Sequence, residues 1–194
     1  MTYETLGPQI LALPVTIRDH IQGPIDAPWT LLEYGDHQCP GCRAARPLTA
    51  FLLAAFHNRL RFVFRSFPLS NTHSHAQRAA EAAEAAGDQG RFWEMHETLL
   101  EHQHALGDDE LIEYAARLHL DLSRFVNDLL YRVHTRRIRD DFHGGVKSGV
   151  NGTPTFFVNG LRYDGPRDAE SVAASLCGND TRSPRPVASS VDMK

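Results

Sequence analysis

The chain has 194 residues, 42% hydrophobic and 23% charged, which suits one soluble domain with a sizeable core. A formal charge of −4 argues against a nucleic-acid binder, and the longest apolar runs, such as LTAFLLAAF (48–56), are too short to cross a bilayer. Three cysteines cannot make a disulfide framework, and the opening MTYETLGPQILALPVTI lacks the basic and unbroken apolar stretches of a secretory leader, so the chain is expected to be cytoplasmic.

Residues 1–28 are interrupted by Pro8, Pro14, Pro24 and Pro28, and PVTIRDH (14–20) reads as a short strand. WTLLEY (29–34) is a short apolar run ended by Gly35 and Asp36, and reads as a buried strand. A helix is expected from Pro40 through RAARPLTAFLLAAFHN, kinked at Pro47, which cannot donate to the carbonyl of Arg43. LRFVFRSFP (60–68) alternates apolar and basic residues, a second strand with Leu60, Phe62 and Phe64 on one face.

A long helical block follows. HAQRAAEAAEAAG (75–87) lines Ala76, Ala79, Ala80, Ala83 and Ala86 along one face and closes at Gly87. Further helices are expected over 91–106, 108–120 and 121–133, the last capped by Asp121. Over 135–150, Ile138, Phe142 and Val146 form an apolar stripe. The chain then returns to sheet: TFFV and LRY flank Asn159-Gly160, a strong two-residue hairpin signal, before an amphipathic helix over 167–178. The Pro/Ser-rich tail 179–194 is expected to be disordered. The order is that of an α/β domain over 1–178, a β-α-β plus β-β-α core with a helical insertion over about 70–150.

Cys39 and Cys42 are two residues apart in EYGDHQCPGC, a spacing shared by zinc sites, structural staples and redox pairs. Their position narrows the choice. A strand ends at Gly35-Asp36, so Cys39 falls at the N-cap of the next helix, with Pro40 at its favoured first position and Gly41 beside it. The unpaired amides and positive end of a helix favour a thiolate, and such cysteines titrate at about 3.5–7.5 instead of about 8.5. Cys42, one turn on, is within reach for a disulfide after small adjustment. Cys39 reads as the exposed attacker and Cys42 as the resolving thiol.

Glu33, six residues before Cys39, is either an acid beneath the pair that takes the proton of Cys42 or a carboxylate on a solvated side of the strand. A zinc site needs two more ligands. His37, His73, His75, His96, His102 and His104 are available, but the two His-x-His pairs fall where helix ends are expected and read as solvated. Cys177 reads as a packing residue, Phe92 and Trp93 as core, and Arg136, Arg137, Arg139, Asp140 and Asp141 as a solvated helix face.

EYGDHQCPGC, RFVFRSFPL, HAQRAAEAAEAAG, FWEMHETLL and GVNGTPTFFVNG together resemble the DsbA-like thiol:disulfide oxidoreductases of the thioredoxin superfamily, over residues 15 to 177. The resemblance implies a thioredoxin fold and a cis Thr153-Pro154 bond against the cysteines, with the Thr153 backbone offered to an extended substrate. It also implies exchange with protein or peptide thiols and disulfides, an unidentified redox partner, and no metal or organic cofactor. Two departures stand out: many such relatives are exported, and Pro40-Gly41 carries no basic residue, which predicts a less oxidising pair. Two rival readings stay open. One is a non-catalytic redox-sensing or metal-binding module. The other is a glutathione-dependent transferase or isomerase, a group that usually lacks the second cysteine.

Overall fold

The computed structural model describes residues 9–178, so the tail expected to be disordered lies outside the described residues. Its strands are β1 (His20–Gln22), β2 (Trp29–Gly35), β3 (Leu60–Ser66), β4 (Thr155–Val158) and β5 (Leu161–Tyr163), arranged β1-β3-β2-β4-β5 in one sheet. β2 pairs parallel to β3 and antiparallel to β4, which puts it at the centre. A parallel pair needs a crossover, and α1 (Pro40–Phe56) supplies it. Between β3 and β4 run α2 (Ala76–Gly87), α3 (Phe92–Glu101), α4 (Asp108–Arg117), α5 (Leu122–Leu130) and α6 (Thr135–Lys147); α7 (Ala169–Gly178) follows β5. The β-α-β plus β-β-α core with its helical insertion is as expected.

All seven residues of β2 are buried because both faces of the sheet are covered. Trp29 and Leu31 join Leu60, Phe62, Phe64, Phe156 and Val158 under Leu48 and Leu52 of α1, Leu176 of α7 and the apolar faces of α2 to α5. On the other face Leu32, Tyr34, Val63 and Phe157 pack with Phe67 and with Phe142 of α6. Each such side chain contributes about 1.5–3 kcal/mol by leaving water. Asn159 and Gly160 adopt φ of 51° and 84°, as the β4–β5 turn requires.

Several expectations are corrected. The strand expected over 14–20 begins only at His20: the Thr16 amide donates to Asp19 Oδ2 at 2.7 Å, and that local bond makes a turn instead. Asp19 in turn receives Arg65, 5% exposed, at 2.7 Å, so this basic residue of β3 is paired and buried. Helix α2 is buried around most of its circumference, Glu81 and Glu84 included. It ends at Gly87, as expected, and a left-handed glycine follows at Gly90 (φ 75°). Helices α4 and α5 stop early, with the left-handed residues His119 (φ 57°) and Arg132 (φ 52°) beyond them. The Leu120 and Val133 amides return to Ala115 and Asp128, both at 3.0 Å, which is a helix stop made without glycine. The stripe on α6 fails at Val146, 53% exposed, because four-residue steps drift by about 40° each. Arg137 and Asp141 leave the solvated face: Arg137 Nε lies 2.7 Å from Glu84, and Asp141 accepts from the Ser66 amide at 3.2 Å. Cys177 is exposed and does not pack.

Candidate active site

Glu33 sits mid-way along β2, registered with Phe64 of β3 and Phe156 of β4. It is 4% exposed, so it does not lie on a solvated side of the strand. Burial pushes its carboxyl up to about 8, opposed by a hydrogen bond with Cys42 and reinforced by the charge of Cys39.

Past Gly35, residues Asp36, His37 and Gln38 lead to Cys39, which is the N-cap of α1 with extended backbone (φ −74°, ψ 121°) and Pro40 at the first turn. No regular side-chain cap hydrogen bond forms at Cys39. Its thiol is nevertheless held down to about 5, first by a hydrogen bond from the Cys42 thiol, against the opposing effect of burial, and then by Thr153 and the Cys42 and Gly41 amides. Cys42 moves the other way: its bond to Cys39, then burial, then Glu33 push its thiol up. The pair therefore shares one proton and keeps it on Cys42. The sulfur of Cys42 also accepts from the Asp36 amide at 3.4 Å. Cys39 is less exposed than expected, at 7% against 1% for Cys42, so its sulfur presents only a narrow window.

Across the N-terminus of α1, Thr153-Pro154 is cis and the Thr153 carbonyl lies 3.3 Å from Cys39 Sγ. Thr153 Oγ1 is buried with no partner among the described residues, so its hydroxyl is free to turn to a thiolate. Gly41 makes this approach possible. A Cβ there would lie 3.0 Å from Pro154 Cδ and 3.5 Å from Cys39 Sγ. Gly41→Val is expected to destabilise the fold by about 1–3 kcal/mol through that overpacking, read from urea unfolding.

The structure also shows contacts that the sequence did not predict. Asp36 is buried and accepts from the Gln38 and Leu69 amides and from His73 Nδ1, at 2.8, 2.9 and 2.8 Å. Its place at the strand end, three residues before Cys39, is visible in the sequence, but its burial is not. Arg167 donates to the Pro154 carbonyl at 3.0 Å, a contact across the β4–β5 hairpin that was not expected from the sequence. His37 and His96 form a buried pair, Nε2 to Nδ1 3.2 Å, and burial holds His37 down to about 4 and lowers His96 as well. Phe92 is core and Trp93 packs partly buried against it. Among the described residues no group of three or more His, Cys, Asp or Glu is arranged to hold a metal.

A family model described as thioredoxin matches residues 16–176. Among curated proteins, the chain is 52% identical over 159 residues to the Na(+)/H(+) antiporter NhaA 1 of Salinispora arenicola, covering 82% of this chain and 24% of that protein. It is 44% identical over 170 residues to the Na(+)/H(+) antiporter NhaA of Herminiimonas arsenicoxydans, covering 87% of this chain and 27% of that one. The chain thus spans about a quarter of the length of the curated relatives it matches. Similar solved structures include a thioredoxin-like oxidoreductase from Silicibacter pomeroyi (TM-score 0.75, 24% identity, 84% of this chain and 92% of that one). BdbD from Bacillus subtilis gives a TM-score of 0.72 at 22% identity, covering 88% and 100%. Wolbachia pipientis alpha-DsbA1 gives 0.73 at 18% identity, covering 88% and 94%. With the sheet order, the helical insertion and the family match in agreement, the chain belongs to the thioredoxin family and has the fold of its DsbA-like members.

Proposed function

We propose that the chain is a thiol:disulfide oxidoreductase that exchanges its Cys39–Cys42 pair with thiols or disulfides of protein substrates. The observation that carries this reading is the placement of Cys39 at the N-cap of α1, 3.3 Å from the Thr153 carbonyl, with Cys42 buried one turn behind it; the contacts hold Cys39 down to about 5 and push Cys42 up. In the reducing direction the Cys39 thiolate attacks one sulfur of a substrate disulfide. The Cys39–substrate bond forms, the substrate S–S bond breaks, and the leaving thiolate takes a proton from solvent. The charge on Cys39 is then gone, and with it the repulsion that disfavours a carboxylate at Glu33. Glu33 then gives its own proton to solvent and, as a carboxylate, takes the proton of Cys42, whose sulfur attacks Cys39; the second substrate sulfur leaves as a thiolate and takes a proton from solvent. The pair ends as a disulfide, having given two electrons, and the reverse sequence oxidises a substrate dithiol. Thr153 supplies backbone beside Cys39 for an extended substrate. The pair gives two electrons and the proton of Cys42, and solvent gives the second proton, so the exchange needs no metal or organic cofactor; a separate redox partner resets the pair. The thiol chemistry is assigned to this segment alone, and the ion transport named for the whole curated relatives is not.

The test is reduction of insulin disulfides with dithiothreitol as electron donor, where many turnovers per protein are expected. Stoichiometric oxidation without turnover, or zinc bound at the pair, would favour the sensing or metal-binding reading. Glutathione conjugation that survives Cys42→Ser would favour the transferase reading. The potential is also expected to be moderate. A thiol at about 5 lies between the values of about 7 and about 3.5 for thioredoxin and a strongly oxidising relative. Equilibration with glutathione should therefore give a potential more negative than about −120 mV, and a value at or above that would contradict the neutral-dipeptide argument.

A further inference from the structure

Gln103 follows α3 inside the helical insertion, yet its side chain reaches the reactive loop. Its Nε2 donates to the His37 carbonyl at 2.9 Å and to the Cys39 carbonyl at 2.8 Å. The Cys39 carbonyl is also the first acceptor of α1, taking the Cys42 and Arg43 amides at 3.1 and 3.2 Å. A primary amide has two N–H groups, and here both are used on the two carbonyls that bracket Gln38. The same loop is tied from the segment before α2: Leu69 and His73 donate to Asp36, and the His75 amide donates to Gln38 Oε1 at 2.7 Å. The loop carrying the sulfur is thus held from two sides by residues that lie outside the β-α-β half that contains it.

We propose that Gln103 is a positioning residue for Cys39, through which the helical insertion holds the first turn of α1 against Thr153 and so governs the reactivity of the sulfur. The proposal rests on the exchange chemistry proposed above. The contacts that favour the thiolate come from Cys42, Thr153 and the amides of the first turn, and each depends on where the Cys39 backbone is placed. Removing the Gln103 amide leaves two carbonyls in a mostly buried loop without that donor, and the loop shifts to find others.

The test compares the reduced wild type with Gln103→Leu and with a control, Gln89→Leu. Gln89 also makes two side-chain hydrogen bonds, accepting from the Asp121 amide at 2.8 Å and donating to the Asp121 carbonyl at 3.3 Å, and it makes none to the reactive loop among the described residues. Iodoacetamide alkylation of Cys39 and thiolate absorbance at 240 nm are followed against pH. Gln103→Leu is expected to raise the midpoint by about one unit, so that alkylation at pH 5 slows about five-fold. Gln89→Leu is expected to leave the midpoint in place, although it loses as many hydrogen bonds. Gln103→Asn keeps the amide but withdraws it by one methylene. It should shift the midpoint in the same direction, and it decides the question if the leucine variant does not fold. A midpoint within about 0.2 units of wild type in the folded Gln103 variants overturns the proposal. So does an equal shift in the Gln89 control. A wild type without insulin turnover would count against the exchange function and would leave the alkylation comparison to decide the role of Gln103.

Discussion

With Cys42 replaced by serine, insulin turnover is expected to fall by at least about 10³-fold while a mixed disulfide accumulates on Cys39, close to one per protein. The serine hydroxyl still donates towards Cys39, so the thiolate survives in part and the first attack proceeds. What is lost is the sulfur that would release it. Cys39→Ser is expected to lose turnover as completely but to form no adduct. Cys42, 1% exposed with its thiol pushed up, can neither reach nor attack a substrate alone. Insulin turbidity and mass spectrometry under non-reducing conditions separate the two variants. Turnover unaffected by Cys39→Ser would end the exchange reading.

Glu33→Gln is expected to make the reduced protein more stable at neutral pH and slower in catalysis. The carboxyl is raised from 4.5 to about 8, so between those values the folded state binds a proton that the unfolded state has released. Stability contributed at this site is therefore full below pH 4.5 and is lost progressively as pH rises to about 8. The loss amounts to about 3 kcal/mol by pH 7 and about 5 kcal/mol above pH 8, as an upper figure. Glutamine removes that slope. Asp141, raised to about 7 mainly by burial, adds a slope of the same sign, but it is present in both proteins and cancels in the difference. Urea unfolding at pH 5 and pH 8 should show the gap between variant and wild type widening with pH; parallel curves would deny the buried acid its raised titration. Release of a trapped substrate by Cys42 should slow by about 10²-fold in the variant, the usual scale for a lost proton acceptor.

These two expectations differ in how far the sequence could have led to them. The pair, its placement at the start of α1 and the proline at the first turn are all local features, set within a few residues by capping and by the end of an apolar run. Strands β2 and β3, the Asn159-Gly160 turn and the Asp121 cap are legible for the same reason. Asp121 accepts from the Arg124 amide at 3.0 Å, as its position predicts. The ends of α4 and α5 were not legible, because left-handed His119 and Arg132 stop them where glycine would ordinarily mark the site. Residues 14–20 misled for a related reason: Thr16 and Asp19 bond to each other, and no periodicity reports such a bond.

Burial is the quantity that local pattern could not supply. Glu33 was balanced between two environments until Phe64 and Phe156 closed on it from neighbouring strands. Arg137 and Asp141 looked like part of a charged helix face until Glu84 and Ser66 were brought against them. Gln103 carries no sequence sign at all, since its partners lie 64 and 66 positions away. The sequence by itself determined where Cys39, Cys42 and Glu33 stand on their strand and helix, because capping and strand patterning act over a few residues. Only the tertiary structure decided where the protons rest, on Cys42 and Glu33 instead of Cys39, because titration follows desolvation and contact, and both are made by segments far apart in the chain.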